Sequence, residues 1–196
     1  MRDHPDCATR YDLVYLCSLS GDVDLDGLRA AVGDLVRRHA ALRTTVTPTT
    51  QRVHPAEAFA ELSRPGPEES VASVVRDLAR GRHGLSDVVS GRPLFRAGEH
   101  RVVGDRGEVT LMSLKIHHLV YDGWSLSVIW RDLAELYRAR VFGGQARLPV
   151  PRTTYADFTE ACLRERRGVA AVAVDHWRAA TADCPERIPW RAPAGT

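Results

Sequence analysis

Two adjacent histidines, an acid and a glycine stand together at the end of an apolar run: His117-His118-Leu119-Val120-Tyr121-Asp122-Gly123, followed by Trp124-Ser125. An unperturbed imidazole titrates at about pH 6.5, so at neutral pH it can accept a proton from an attacking group or hold that group by a hydrogen bond. No cysteine lies nearby, no further histidine falls at metal-ligand spacing, and the helical HExxH arrangement is absent, so acid–base chemistry is expected here and no bound metal. Spacing alone leaves a second reading open, in which both histidines are satisfied polar groups at a strand end.

The elements that must position these groups are legible on either side. Val109 to Ile116 is β-branched and apolar with partial alternation, which predicts a buried strand delivering the histidines at its C-terminal end. Successive strand side chains leave by opposite faces, so His117 and His118 cannot both line one cavity: one works and the other packs. Gly123 breaks the pattern. Beyond it, Leu126, Ile129, Trp130, Leu133 and Tyr137 recur at helical spacing, with Ser125 in the expected N-cap position and Gly143-Gly144 as the stop. Upstream, Tyr11 to Leu19 predicts a first strand, and Asp24 caps a helix whose apolar stripe is Leu25, Leu28, Val32, Leu35 and Val36. Thr44 to Val53 is β-prone but interrupted by Pro48, Arg64-Pro65-Gly66-Pro67 reads as a turn or exposed linker, and Val71 to Leu78 as a second helix. Pro93 to Glu99 and Arg101 to Val103 read as strand segments, joined to the histidine strand by a hairpin-type turn at Gly104-Asp105-Arg106-Gly107. Two further helices are expected at about 153–167 and 169–182. The hairpin does not suit a doubly wound fold, so the fold class is α/β with a mixed, partly antiparallel sheet flanked by helices.

Residues 117–123 read HHxxxDG, and with Trp124-Ser125 they resemble the signature of the condensation domains of nonribosomal peptide synthetases, within the superfamily that includes chloramphenicol acetyltransferase. Other blocks follow in the family's order. Leu35-Val36-Arg37-Arg38-His39-Ala40-Ala41-Leu42-Arg43-Thr44 is similar to the early LVxRHxxLRT segment, and Gly91-Arg92-Pro93-Leu94-Phe95-Arg96 to the PLFR strand entry. Tyr155-Ala156-Asp157-Phe158 resembles the YADF stretch, and His176-Trp177 the HW that follows it. The resemblance implies a single chloramphenicol acetyltransferase-like α/β sandwich lobe, the N-terminal one of the two that form a complete domain. It divides the chain into an N-terminal extension at 1–10, the lobe at 11–184, and a tail at 185–196 corresponding to the inter-lobe linker.

Carried over residue by residue, the resemblance implies that His118 is catalytic, deprotonating or positioning the amine that attacks a carrier-bound thioester, while His117 packs behind it. Asp122 becomes a structural residue paired with an arginine, for which Arg43 and then Arg38 are the candidates. Gly123 supplies backbone freedom and close approach beside the channel, Trp124 packs, and His39 is structural. No cofactor is expected to be bound directly, since phosphopantetheine would arrive on carrier proteins. The expected partners are peptidyl or aminoacyl carrier proteins, together with a complementary C-terminal lobe or a second copy of the chain. The activity is that of an acyltransferase if the other lobe is supplied by a partner or by dimerisation. The alternative is a non-catalytic half-domain that binds carrier proteins or scaffolds an assembly line.

Composition agrees with a folded domain. The chain has 196 residues, 44% hydrophobic and 27% charged, enough to bury a core. Its 27 basic residues are dispersed among 25 acids, so no basic stripe argues for nucleic acid. Cys7, Cys17, Cys162 and Cys184 show neither CxxC nor framework spacing and are expected to be reduced thiols. The sequence has no long apolar span and no signal-like segment, so no membrane partner and a cytoplasmic location are expected.

Overall fold

The structure, a computed structural model, describes residues 11–58, 62–63, 70–80, 91–104 and 107–185. Its contacts divide the chain into two compact units, Met1–Pro151 and Arg152–Thr196. The Arg64–Pro67 turn, the 1–10 extension and most of the 185–196 tail lie outside the described residues.

In the first unit the order is β1 (Asp12–Leu19), α1 (Leu25–Arg38), a 3-10 turn (Ala40–Arg43), β2 (Thr44–Val46), β3 (Gln51–Val53), a second 3-10 turn (Ala56–Ala58), β4 (Leu62–Ser63), α2 (Val71–Arg80), β5 (Phe95–Gly104), β6 (Gly107–His117) and α3 (Gly123–Phe142). The main sheet runs β1-β6-β5-β4, antiparallel except for the parallel β4–β5 pair. It is the mixed sheet expected from the sequence, with the histidine strand β6 in its interior. Gly104 pairs with Gly107 across the predicted hairpin. Pro48, which interrupts the β-prone stretch after Arg43, falls in the turn of the small β2–β3 hairpin.

Strand alternation sorts β6 into two faces. Met112, Leu114 and Ile116 face a core shared with Leu13, Tyr15 and Cys17 of β1, Phe95 and Ala97 of β5, and the buried stripes of α1 (Leu28, Ala31, Val32, Leu35, Val36) and α3 (Ile129, Leu133). Each fully buried aliphatic side chain here contributes roughly 1.5–3 kcal/mol. α1 and α3 approach closely at Gly27, where an added Cβ would come within 2.8 Å of Val141 Cγ2, so a larger residue there would force Val141 to shift. On the opposite face α2 seats Val74 on Val102 and Leu111, beside a buried polar row of Ser113, Lys115 and His117 with Asp12 and His100 from the flanking strands. His100 Nε2 and Ser113 Oγ lie 2.8 Å apart within that row.

Two boundary expectations are corrected. α3 starts before Ser125: the N-cap is Asp122, whose carboxylate accepts the Ser125 N–H at 2.9 Å, and Ser125 is the third helical residue of a capping box. A carboxylate three residues ahead of a hydroxyl satisfies two free helix-terminal donors at once, which a serine N-cap followed by Val128 could not do. In the second unit the two predicted helices are a single helix, α4 (Tyr155–Ala180). The expected break falls at Gly168, but one glycine costs only about 1 kcal/mol and no proline follows it within the helix. The start of α4 accounts for the YADF block, because Asp157 accepts the Thr154 N–H at 2.7 Å and Thr154 Oγ1 accepts from Asp157 N–H. Cys17, Cys162 and Cys184 are free thiols.

Candidate functional site

The histidine pair sits where β6 ends, tied to a neighbour on each side. His117 N–H donates to Leu94 O at 2.9 Å, and His118 N–H donates to Tyr11 O at 2.8 Å. Leu94 belongs to the PLFR-like block, so that block supplies the backbone acceptor that holds the first histidine. A tight turn follows, closed by Val120 N–H to His117 O at 3.1 Å and by Leu119 N–H to the His117 Nδ1 at 3.1 Å. The side chains separate as strand alternation requires. His117 is 1% exposed in the polar row, whereas His118 is exposed to solvent at the end of the sheet.

The His118 ring is bracketed by Tyr11 and Tyr121, edge-on to both, with centroids 6.4 and 5.9 Å away. Tyr121 is buried and its hydroxyl lies 2.6 Å from that of Tyr15. Burial first, and then the bond to Tyr15, push the Tyr121 phenol well above its ordinary range, so it stays protonated. Tyr15 and Tyr121 were not singled out from the sequence. Their signal was available, since Tyr15 falls on the core face of β1 and a buried tyrosine hydroxyl needs a partner.

Asp122 is corrected from ion-pair partner to helix cap. The Ser125 hydroxyl and N–H hold its carboxyl below the usual range, and the nearby His118 ring acts in the same direction. Neither candidate arginine meets it. Arg43 donates to the His54 carbonyl, and Arg38 donates through Nε to Asp132 Oδ2 at 2.8 Å and through its other arm to the Pro149 carbonyl. The physical reason is burial. Asp122 stands in water at a helix start, whereas Asp132 is 0% exposed and must be paired. Its second oxygen takes Arg131 at 2.7 Å, and His39 Nε2 lies 2.8 Å from the first. Burial alone would raise the Asp132 carboxyl, but the bonds from Arg38, Arg131 and His39 outweigh it and leave it below the usual range. The RH of the early block is therefore an α1–α3 clamp, with His39 structural as expected. Asp132 was missed, although it lies three residues after Ile129 and next to Leu133, on the inward stripe of a helix, where a carboxylate demands explanation.

Gly123 and Trp124 are also corrected. Gly123 is the first residue of α3, outside the left-handed region, and an added Cβ there would meet nothing within 4 Å. Neither special backbone freedom nor close packing within this unit requires it. Trp124 is 86% exposed, because at the start of a helix on the solvent side it has no core to enter. Among the described residues no cluster of three or more His, Cys, Asp or Glu side chains is placed to hold a metal ion, and no helix is long and apolar enough to cross a membrane.

With this geometry in place, comparison with known proteins decides the family. Residues 7–179 match the Condensation domain family. The chain belongs to that family. It is 34% identical over 192 residues to CymA of Salinispora arenicola, a probable non-canonical nonribosomal peptide synthetase, covering 91% of this chain and 2% of that protein. Among solved structures, SgcC5 from Streptomyces globisporus is 31% identical with a TM-score of 0.64, over 87% of this chain and 40% of that one. The starter condensation domain of the rhizomide synthetase RzmA shares the fold at a TM-score of 0.70 and 16% identity, over 91% of this chain and 44% of that one. The condensation-domain chain described here thus has the chloramphenicol acetyltransferase-like α/β fold and spans less than half the length of these solved relatives.

Proposed function

We propose that this chain contributes the HHxxxDG-bearing, N-terminal lobe of a condensation active site, in which His118 assists amide or ester formation between carrier-tethered acyl and aminoacyl groups. The observation that carries this reading is the exposure of His118 at the end of β6 while His117 is buried behind it. In the reaction the acceptor nitrogen or oxygen attacks the donor's thioester carbonyl, a new C–N or C–O bond forms, and the C–S bond breaks. The proton lost by the attacking group passes to the His118 imidazole and on to the departing thiolate. Phosphopantetheine arrives on the carriers and supplies that thiol, and the setting is the cytoplasm. The capping box at Asp122 and Ser125 fixes the start of α3 directly after the histidine turn, which holds the ring's position without an ion pair.

The other wall of the site comes from a complementary lobe, or from a second copy of this chain packed about a twofold axis. Leu119 and Trp124, both exposed beside His118, are apolar surface that such a lobe would cover. A sedimentation measurement at micromolar concentration is expected to show a dimer when no complementary lobe is added, and a monomer removes the homodimer. The competing reading is a carrier-binding half-domain without catalysis. Assay with loaded donor and acceptor carriers and a complementary lobe separates the two. Product that disappears with His118→Ala supports catalysis, whereas carrier binding without product supports the half-domain.

A further inference from the structure

The His118 ring stands exposed at the end of β6, and among the described residues no hydrogen bond reaches either of its nitrogens. A histidine that handles protons is ordinarily aimed by a third group bonded to the nitrogen facing away from the reaction. The neighbouring carboxylate of Asp122 does not serve in that way. It accepts from the Ser125 N–H and hydroxyl at 2.9 and 2.6 Å and is turned to the first turn of α3. The orientation of this imidazole therefore depends on the rings around it, Tyr11 and Tyr121.

The two walls differ in how firmly they are held. Tyr11 is half-exposed, whereas Tyr121 is buried and tied at its tip to a second element. Tyr15 stands on the core face of β1 opposite Leu114, and its hydroxyl meets that of Tyr121 at 2.6 Å, within the range of a good O–H···O bond. A buried hydroxyl is costly to leave unpaired, so this bond fixes the tip of the Tyr121 ring while the chain fixes its base. The same bond and burial keep the phenol protonated, so the wall beside His118 stays neutral. Tyr15 lies edge-on to Tyr121 at 6.1 Å and Tyr121 edge-on to His118 at 5.9 Å, both within the preferred spacing of such ring pairs.

We propose that Tyr121, anchored by Tyr15, is a positioning residue for His118: the three rings form an edge-on series that carries the fixed geometry of β1 to the imidazole. Its consequence for catalysis rests on the role of His118 proposed above, but the fixing of the ring does not.

The test turns on Tyr15→Phe, because among the described residues Tyr15 makes no ring contact with His118 and, under this proposal, acts on it through Tyr121. The His118 ring is followed by carbon–proton NMR of the labelled chain at neutral pH. Tyr15→Phe and Tyr121→Phe are each expected to displace the His118 ring resonances and to lower the ring's order parameter, while the core resonances of α1 are retained. With a complementary lobe and loaded carriers present, the same variants are expected to lower kcat at least about fivefold with KM unchanged, as lost alignment requires. Unmoved His118 resonances in a folded Tyr15→Phe chain overturn the proposal. So does a displaced ring with unaltered kcat in a chain that His118→Ala inactivates. Should a single variant fail to fold, the double variant of Tyr15→Phe with Tyr121→Phe decides by the same resonances, since it leaves neither hydroxyl without its partner. Product formed at the unaltered rate by His118→Ala contradicts the role of His118 and leaves the ring measurement to decide the positioning.

Discussion

Asp122 and Asp132 lie on the same helix, and the difference between them is one of solvent. At the helix start Asp122 keeps its hydration and bonds only to its own first turn, shaping the loop that carries His118. Farther along, Asp132 has no water and gathers Arg38, Arg131 and His39 from two helices. One carboxylate organises a site and the other holds two elements together. The His117–Gly123 stretch contains the first, while the larger energetic consequence belongs to the second.

The contrast can be broken most severely at the clamp. Asp132→Ala takes the shared acceptor from Arg38, Arg131 and His39 and is expected to destabilise the protein by about 3–5 kcal/mol in urea denaturation, whereas Arg38→Ala leaves the buried carboxylate to Arg131 and His39 and is expected to cost less, about 1–3 kcal/mol. If either costs under about 1 kcal/mol, the clamp is not what joins α1 to α3. A double-mutant cycle sharpens the point: Arg38→Ala and Asp132→Ala are expected to couple by at least about 1 kcal/mol, whereas Arg38→Ala and Asp122→Ala add within about 0.5 kcal/mol.

Acid titrates the same difference. The folded-state pKa of Asp132 is depressed below its ordinary value of 3.8, so its contribution is fully present above about pH 4 and is lost as pH falls through the lower folded value. Stability followed from pH 5 downward is expected to fall less steeply in Asp132→Asn than in the unaltered chain. Equal slopes would remove the clamp from the acid response.

The site end is expected to respond more weakly. Asp122→Ala removes a cap and costs about 1 kcal/mol, with Asp122→Ser recovering most of it. Gly123→Ala, with nothing near the added methyl, is expected to change stability by no more than about 0.5 kcal/mol in the same denaturation experiment. A loss of condensation activity in that stable variant would show that the glycine leaves room for something outside this unit.

These differences explain what could be read from the sequence. Periodicity located α1 and α3 because each buries one face, the apolar run located β6, and alternation separated the environments of His117 and His118. The Asp122 partner could not be found that way, since an ion pair depends on which carboxylate is dry, and burial follows from the packing of α1 against α3. Helix boundaries failed for local reasons: Asp122 outcompeted Ser125 as a cap, and the continuous α4 tolerated Gly168. That Asp12 stands opposite His117 follows from the strand register, which the spacing of two segments about a hundred residues apart does not encode.

The central claim is that His118 is the imidazole that serves the reaction and His117 the one that packs. Its most direct test is the rate of product formation from loaded donor and acceptor carriers, with a complementary lobe present, for the unaltered chain and for His118→Ala at matched folded concentration. The account expects a loss of about 10²–10⁴-fold in that variant. A His118→Ala protein that forms product at the unaltered rate would contradict it.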